Sequence, residues 1–318
     1  IKARRVYAGW QRPAKFDRNL IVIGGGAAGL VSAYIGAAVK AKVTLIEAHK
    51  MGGDCLYSGC VPSKSLIKSS RFLAELSRSK HYGINSASAE FDFAEVMERV
   101  SSVIKQIEPH DSVERYTQLG VECMQAEARV LSPWEIAVGD LVISSRHIIV
   151  ATGAKPRIPT IEGVDQVPYY TSDTIWSLRE QPKHLLVVGA AVGREANVAG
   201  LGLQELGVQL TQSATIKVDK YMRTHVPTIY ACGDVAGPYQ FTHTAAHFAW
   251  YSVVNSLFGV FWRFKADRRV IPRVTFTEPE IASVGYNEQS AKAAGLQIET
   301  TKFEFNELDR AIVEGKTE

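Results

Sequence analysis

Two short apolar runs stand near the start of the chain, with a small-residue stretch between them. Leu20-Ile-Val-Ile23 carries no charge, the pattern of a strand covered on both faces, and Lys42-Val-Thr-Leu-Ile46 repeats it. The alanine-rich stretch between them predicts a helix running to about Lys40, giving a strand–helix–strand unit. Leu20 to Val39 is uncharged and long enough to span a membrane. The glycine cluster at its start would break such a helix, whereas strand, turn and helix account for every residue. A second uncharged stretch, Val235 to Trp262, contains Pro238, His243, His247 and Asn255 and reads as a buried helix. Phe93, Val96, Val100, Val103, Ile104 and Ile107 recur at helical spacing, which predicts one long helix over 91–119. Residues 69–88 are polar and read as helix followed by loop, and Pro156 to Pro168 reads as a linker. No internal repeat or low-complexity tract interrupts the pattern.

The turn after the first apolar run is Gly24-Gly-Gly26-Ala-Ala-Gly29, a G-x-G-x-x-G spacing. The first glycine makes the tight turn, the second lets backbone approach a pyrophosphate, and the third allows close helix–strand packing. The second strand ends at Glu47, about twenty residues on, where an acid can bind adenosine ribose hydroxyls. The glycines alone are a weak signal; strand, glycines, helix, strand and acid in order are a strong one.

Immediately downstream, Met51-Gly-Gly-Asp-Cys-Leu-Tyr-Ser-Gly-Cys-Val-Pro-Ser-Lys64 places two cysteines near that unit. Glycines loosen the loop so that the sulfurs of Cys55 and Cys60 can close a ring, and Pro62 allows a helix to begin directly after Cys60. Unpaired N–H groups at a helix start stabilise a thiolate. Cys60 is therefore expected to stay ionised facing a cofactor while Cys55 exchanges with substrate. A structural disulfide needs an oxidising compartment, and a zinc site would need a second ligand pair at proper spacing, which does not follow. Only Cys123 and Cys232 remain, and both read as packed free cysteines. His243 and His247 are four apart but lack a third ligand, so no metal site is assigned.

Composition adds little beyond exclusion. Net charge is +3 from 36 basic and 33 acidic residues, so bulk nucleic-acid binding is not implied. Hydrophobic residues make up 46% of the chain, enough for two domains with their own cores. Low cysteine use and the lack of a signal-peptide pattern predict a cytoplasmic protein.

These residues resemble the pyridine nucleotide–disulfide oxidoreductases, flavoproteins that include lipoamide dehydrogenase, glutathione reductase and mercuric reductase. Gly59-Cys-Val-Pro-Ser-Lys64 is most similar to the mercuric reductase-like branch. His147-Ile-Ile-Val-Ala-Thr-Gly153 resembles the strand that returns to the flavin domain. Thr224-His-Val-Pro-Thr-Ile-Tyr-Ala-Cys-Gly-Asp234 resembles the second flavin motif, and Thr275-Phe-Thr-Glu-Pro-Glu-Ile-Ala-Ser-Val-Gly285 the opening of the dimerisation domain. The resemblance implies an α/β fold: a FAD-binding Rossmann-like domain of glutathione reductase type, a remnant of a second dinucleotide-binding domain, and a truncated α+β dimerisation domain. It implies FAD and NAD(P)H as cofactors and a homodimer formed through the C-terminal domain.

Carried over by residue, Gly24, Gly26 and Gly29 would cradle the FAD pyrophosphate and Glu47 the adenosine ribose. Gly53 and Asp54 would line the dinucleotide, with Asp54 standing where the family often has threonine. Lys64 would lie near the reactive edge of the flavin ring, Ala128 would offer backbone to the adenine, and Gly153 would close the Ala-Thr-Gly turn. Asp234 would hold the ribityl chain, and Thr242 and His243 would point N–H groups at the pyrimidine side of the flavin. Lys64 as a solvated first-turn lysine and Asp234 as a turn residue remain the plainer alternatives.

The chain departs from the family in one internal place. His184-Leu-Leu-Val-Val-Gly-Ala190 reads as the first strand of the nicotinamide-binding module, yet Ala191-Val-Gly-Arg-Glu-Ala-Asn197 follows at once and resembles that module's exit strand. No second glycine fingerprint lies between them, so a segment around Ala190–Ala191 is either left out of the sequence or deleted. The expected division is a basic lead-in over 1–18 (Lys2, Arg4, Arg5, Arg12, Lys15, Arg18), FAD-binding parts over 19–183 and 193–265, the remnant over 184–192, and a dimerisation domain over 266–318. That last domain is expected to stop short of the family's acid–base histidine, and residues are expected before Ile1. Membrane contact is expected only through such preceding residues.

The implied activity is passage of electrons from NAD(P)H through FAD to a Cys55–Cys60 disulfide, and on to a disulfide or soft-metal substrate. Mercuric ion, lipoamide, a small disulfide or a quinone all fit. Dihydrolipoamide dehydrogenase-type activity is the alternative within the class. A flavin-bound redox sensor, or a protein that binds metal through the two thiols without turnover, are the alternatives outside it.

Overall fold

A computed structural model describes residues 6–188 and 193–315. The chain divides into two compact units, one running up to Leu73 and from Ala89–Ala266, the other comprising Ala74–Ser88 and the residues from Asp267 onward.

The first unit is built on the expected strand–helix–strand opening: β1 (Arg18–Ile23), α1 (Ala27–Ala38) and β2 (Val43–Glu47). Leu20, Ile21, Val22, Val43, Leu45 and Ile46 are essentially inaccessible to water, as a strand pair covered on both faces requires. Two helices follow, α2 (Gly53–Tyr57) and α3 (Cys60–Ser77). The single helix expected over 91–119 is instead two, α4 (Phe93–Ile107) and α5 (Val113–Gln118), joined by a 3-10 turn at Glu108–Asp111. Pro109 has no N–H to continue the ladder, and Ser112 caps the next helix by accepting from the Arg115 N–H. The apolar positions at helical spacing, Phe93 to Ile107, all lie in α4, so the periodicity does not extend across the break.

Four strands come next: β3 (Val121–Gln125), β4 (Ala128–Val130), β5 (Glu135–Val138) and the long β6 (Leu141–Val150). The sheet order is β3-β2-β1-β6-β5-β4. β1 pairs in parallel with β2 and β6, and β2 with β3, whereas β4, β5 and the first half of β6 form an antiparallel meander. After a short ribbon of β7 (Ala154–Pro156) with β8 (Arg194–Ala196), β9 (Ile229–Ala231) joins the second half of β6 in parallel. The chain then enters α6 (Thr242–Phe258), the buried helix expected from the uncharged stretch. No helix among the described residues is long and apolar enough to cross a membrane. This is the α/β, Rossmann-like architecture the sequence implied.

The strand expected from His184 is not formed over 184–188, and Gly189 and Ala190 lie outside the described residues, as do Ala191, Lys2, Arg4 and Arg5. Leu185, Leu186, Val187 and Val188 are 52–85% exposed. An apolar run of this kind becomes a strand only when neighbours supply its ladder and cover its faces, and among the described residues no strand pairs with it. The β7–β8 ribbon closes the gap locally: the Arg157 N–H donates to Gly193 O, and the Asn197 N–H to Gly153 O.

The second unit is small and mixed. β10 (Arg273–Thr275) pairs antiparallel with β11 (Ile281–Ser283), followed by α7 (Glu288–Ala293) and α8 (Asp309–Val313). Asn287 and Ser290 cap α7 reciprocally.

Candidate functional site

The carboxyl ends of β1, β2, β6 and β9 bring the glycine loop, the dithiol loop and the second acidic motif together. A Cβ on Gly29 would collide with the Gly24 carbonyl, so only glycine lets α1 sit this close to β1. Gly53 has φ +58°, and a Cβ there would lie 2.7 Å from Gly26 Cα. The loops 24–26 and 51–54 are thus held in contact, with the Gly52 N–H donating to Gly25 O at 2.9 Å. The Ala151-Thr152-Gly153 turn abuts the other side of Gly24, and Gly233 abuts Ala28.

Glu47, at the end of β2, accepts from the Gly25 N–H and, at 2.8 Å, from the His49 N–H. Its own carbonyl accepts from the Ala126 N–H, which brings the strand holding Ala128 to the same end of the sheet. An open cleft of about 290 Å³ begins here, lined in part by Glu47, Met51, Tyr57, Cys123 and Gln125. The first turn of α1 has no side-chain cap and no acidic residue, leaving its N–H groups for another acceptor.

Cys60 opens α3, and its Sγ lies 3.3 Å from Thr242 Oγ1 at the start of α6. Neither Cys55 nor Cys60 is in a disulfide. The Cys55 thiol donates to Cys60, which pulls the Cys60 thiol down to about 5 against the cost of burial, with help from Thr242, Lys64 and His243. The same bond, with burial, pushes Cys55 far up. One proton is shared unequally by two sulfurs, with Cys60 ionised and Cys55 protonated. Asymmetry of this sign is what the sequence predicted. The Thr242 side chain's contact with the sulfur was not foreseen; only its backbone had been singled out.

Asp54 and Asp234 are joined by a residue of the exit-strand stretch, to which the sequence assigned no role in the site. The Arg194 guanidinium, on β8, bonds the Asp54 carboxylate, and its Nε lies 3.3 Å from Asp234 Oδ2. It also donates to Ala154 O. Burial raises both carboxyls, Asp173 and Glu47 add to this at Asp54 and Asp54 adds to it at Asp234, and Arg194 opposes it at both. Cys232 is wholly buried and raised by that burial, a packed thiol as expected. Among the described residues no group of three or more His, Cys, Asp or Glu could hold a metal.

Comparison with known proteins shows the family and the fold. The model of the pyridine nucleotide-disulphide oxidoreductases matches residues 18–192 and again 190–249, and that of their dimerisation domain matches 271–318. The two stretches meet at 190–192, where the sequence runs directly from entry strand to exit strand. A mercuric reductase of Staphylococcus aureus is 25% identical over 387 aligned positions, covering 95% of this chain and 70% of the relative. That alignment is longer than the 318-residue chain, so the relative carries internal residues that this chain lacks. A dihydrolipoyl dehydrogenase of Chlamydia muridarum is 25% identical, covering 94% of this chain and 82% of the relative. In fold, the chain is similar to the HOCl-induced flavoprotein disulfide reductase RclA of Escherichia coli, solved as a Cu(II) complex. The TM-score is 0.77 at 20% identity, covering 95% of this chain and 85% of that one.

Proposed function

The chain belongs to the pyridine nucleotide–disulphide oxidoreductase family, whose enzymes use FAD and NAD(P)H, and we propose that it works as a FAD-dependent disulfide oxidoreductase through Cys55 and Cys60. The observation that carries this reading is the placement of Cys60 at the first residue of α3, beside the Cys55 thiol and 3.3 Å from Thr242 Oγ1 at the start of α6.

The residues present fit FAD. The cradle between Gly26 and Gly53 would be filled by any Cβ, and the uncapped first turn of α1 offers N–H donors to a diphosphate. Gly24, Gly26, Gly29 and Gly53 would hold the pyrophosphate, Glu47 the adenosine ribose and Ala128 the adenine. Asp54 would border the dinucleotide, Asp234 would take the ribityl chain, and Gly153 would shape the turn beneath it. Thr242, His243 and Lys64 would face the ring. When bound, FAD would accept hydride from NAD(P)H and pass two electrons to the Cys55–Cys60 disulfide.

The protein's own part is thiol chemistry. Cys55 is the outer thiol: it passes its proton to the neighbouring Cys60 thiolate and attacks one sulfur of a substrate disulfide as the thiolate, and the departing thiolate then takes that proton from Cys60, which is left ionised again. The Cys60 thiolate then attacks Cys55 Sγ, which forms the Cys55–Cys60 disulfide and expels the second thiolate. Two electrons move from the cysteines to the substrate and no atom is left unpaired. A soft metal ion such as Hg(II) is the second substrate class, supported by the mercuric reductase relative and by the two thiols at one place. A homodimer through residues 271–318 is supported by the dimerisation-domain match.

Anaerobic addition of NADH or NADPH to the FAD-loaded protein, followed by free-thiol counting, tests the reading. Two new thiols per chain, absent in Cys55→Ser and Cys60→Ser, are expected. If only dithionite yields them, the dithiol stands but reducing equivalents do not enter from nicotinamide.

A further inference from the structure

The two reactive sulfurs sit on different helices, Cys55 in α2 and Cys60 at the start of α3, joined by Ser58 and Gly59 alone. Each side of this hinge is held by its own partners. Tyr57, the last residue of α2, donates its hydroxyl to Glu108, just past α4, at 2.7 Å. The Gly59 carbonyl accepts from the Ser63 N–H and from the Ser63 hydroxyl, both within α3. The carbonyl of buried Ser58 is held from far along the chain. The Trp176 indole N–H reaches it at 3.1 Å, across 118 positions of sequence, and also meets Ser172 O at 2.6 Å. Trp176 stands in a 3-10 turn, Ile175–Ser177, that Arg179 ties to α4. The Arg179 guanidinium donates to Trp176 O at 3.0 Å, to Glu98 at 3.3 Å and to Ser101 Oγ at 3.2 Å.

Ring closure must move this hinge. Two sulfurs in thiol–thiolate contact stand well beyond the roughly 2 Å of a disulfide bond. Closing that gap draws α2 and α3 together at Ser58 and Gly59. The Trp176 bond is made with both cysteines free, so it belongs to the dithiol and is strained by closure. On the disulfide-oxidoreductase reading above, we propose that Trp176 is a positioning residue: its indole N–H holds the Ser58–Gly59 hinge in its dithiol setting and makes the Cys55–Cys60 pair harder to oxidise. Phenylalanine or leucine could fill the same half-buried place but carries no donor. The N–H, not the ring, is the feature that sets the redox balance.

The test equilibrates the FAD-loaded wild type, Trp176→Phe and Trp176→Leu anaerobically in graded mixtures of oxidised and reduced dithiothreitol. In the exchange, oxidised dithiothreitol takes two electrons from the cysteines, one proton from Cys55 and one from solvent, and becomes the dithiol. Alkylation of the quenched samples and mass spectrometry of the peptide holding both cysteines give the disulfide fraction, with melting temperatures recorded beside it. Trp176→Phe and Trp176→Leu should each shift the balance about fivefold toward the disulfide. Arg179→Met, which frees the turn, should shift it the same way by less. An unchanged or opposite balance in Trp176→Phe would overturn the proposal. So would a shift in Trp176→Leu alone, which would make ring packing the cause, or a lower melting temperature with no shift in balance. If the Trp176 variants do not fold, an unshifted Arg179→Met overturns it instead. Failure of the wild-type pair to exchange with dithiothreitol at all would overturn the disulfide-oxidoreductase reading itself and this inference with it.

Discussion

Cys60 Sγ and Thr242 Oγ1 are 3.3 Å apart, across 182 positions of sequence. The contact places one sulfur at the first residues of two long helices, α3 and α6, so the N–H groups of both favour its ionised form. Replacing Thr242 with valine keeps the shape and removes the hydroxyl. The Cys60 thiolate should then titrate higher, with about tenfold less thiolate in its acid range. A pH titration of thiolate absorbance in the reduced, flavin-free protein reads this directly, and an unchanged curve would remove Thr242 from the account.

The two thiols should also differ in reactivity. Cys60 is lowered to about 5, so it is ionised above that value and protonated below it, while Cys55 holds its proton through neutral pH. One equivalent of iodoacetamide at pH 6.5 should alkylate Cys60 over Cys55, and labelling should fade as pH drops through about 5. Because the bond from Cys55 is the largest cause of the shift, Cys55→Ala should move the fade to higher pH. Peptide mapping by mass spectrometry checks both points.

Gly29 is a position where space alone decides. Gly29→Ala would drive a methyl into the Gly24 carbonyl. The expected cost is about 1–3 kcal/mol of stability, together with loss of FAD uptake, because α1 and the glycine turn must separate. Thermal melting and flavin absorbance after reconstitution measure the two effects.

His147, next to the β-sheet core, gives the fold its acid limit. Burial, with Arg146 and Arg12 nearby, lowers its imidazole to about 4 from 6.5. The unfolded chain takes up a proton that the folded chain refuses, so stability is full above pH 6.5 and falls as pH drops toward 4. His147→Phe should flatten that part of the stability curve. Denaturant unfolding at a series of pH values tests it.

The legible parts of the fold and site were those written locally. The glycine turn, Glu47 and the Cys55–Cys60 loop lie within one stretch of chain, where each residue's backbone or chemical need can be read in order. The break at Pro109 was also local, but the apolar period, which lies wholly within α4, does not report where the helix ends. Arg194 was illegible for a different reason. Its partner Asp54 lies 140 positions away, and nothing in a short arginine-bearing strand says which carboxylate it will meet. The strand expected at 184–188 failed for want of neighbours: Leu186 is apolar, yet 85% exposed.

The adjacency of β7 and β8 has a consequence for the missing module. Ala154 pairs with Ala196 and Pro156 with Arg194, so the two ends of the stretch that contains the junction lie side by side within one unit. Insertions and deletions are tolerated where entry and exit lie side by side. Cleavage beside Leu186, which is 85% exposed, by a non-specific protease should therefore leave FAD uptake unchanged, which flavin absorbance after size exclusion would show.

The most direct test of the central claim is stepwise anaerobic reduction of the FAD-loaded protein, followed by visible absorbance. Two-electron reduction of the wild type should produce a long-wavelength thiolate-to-flavin charge-transfer band; Cys55→Ser should show the band before any reductant is added and lose it on reduction, and Cys60→Ser should never show it. If the bound flavin bleaches with no such band and the Cys55–Cys60 disulfide stays oxidised, the dithiol is not the flavin's partner and the account is wrong.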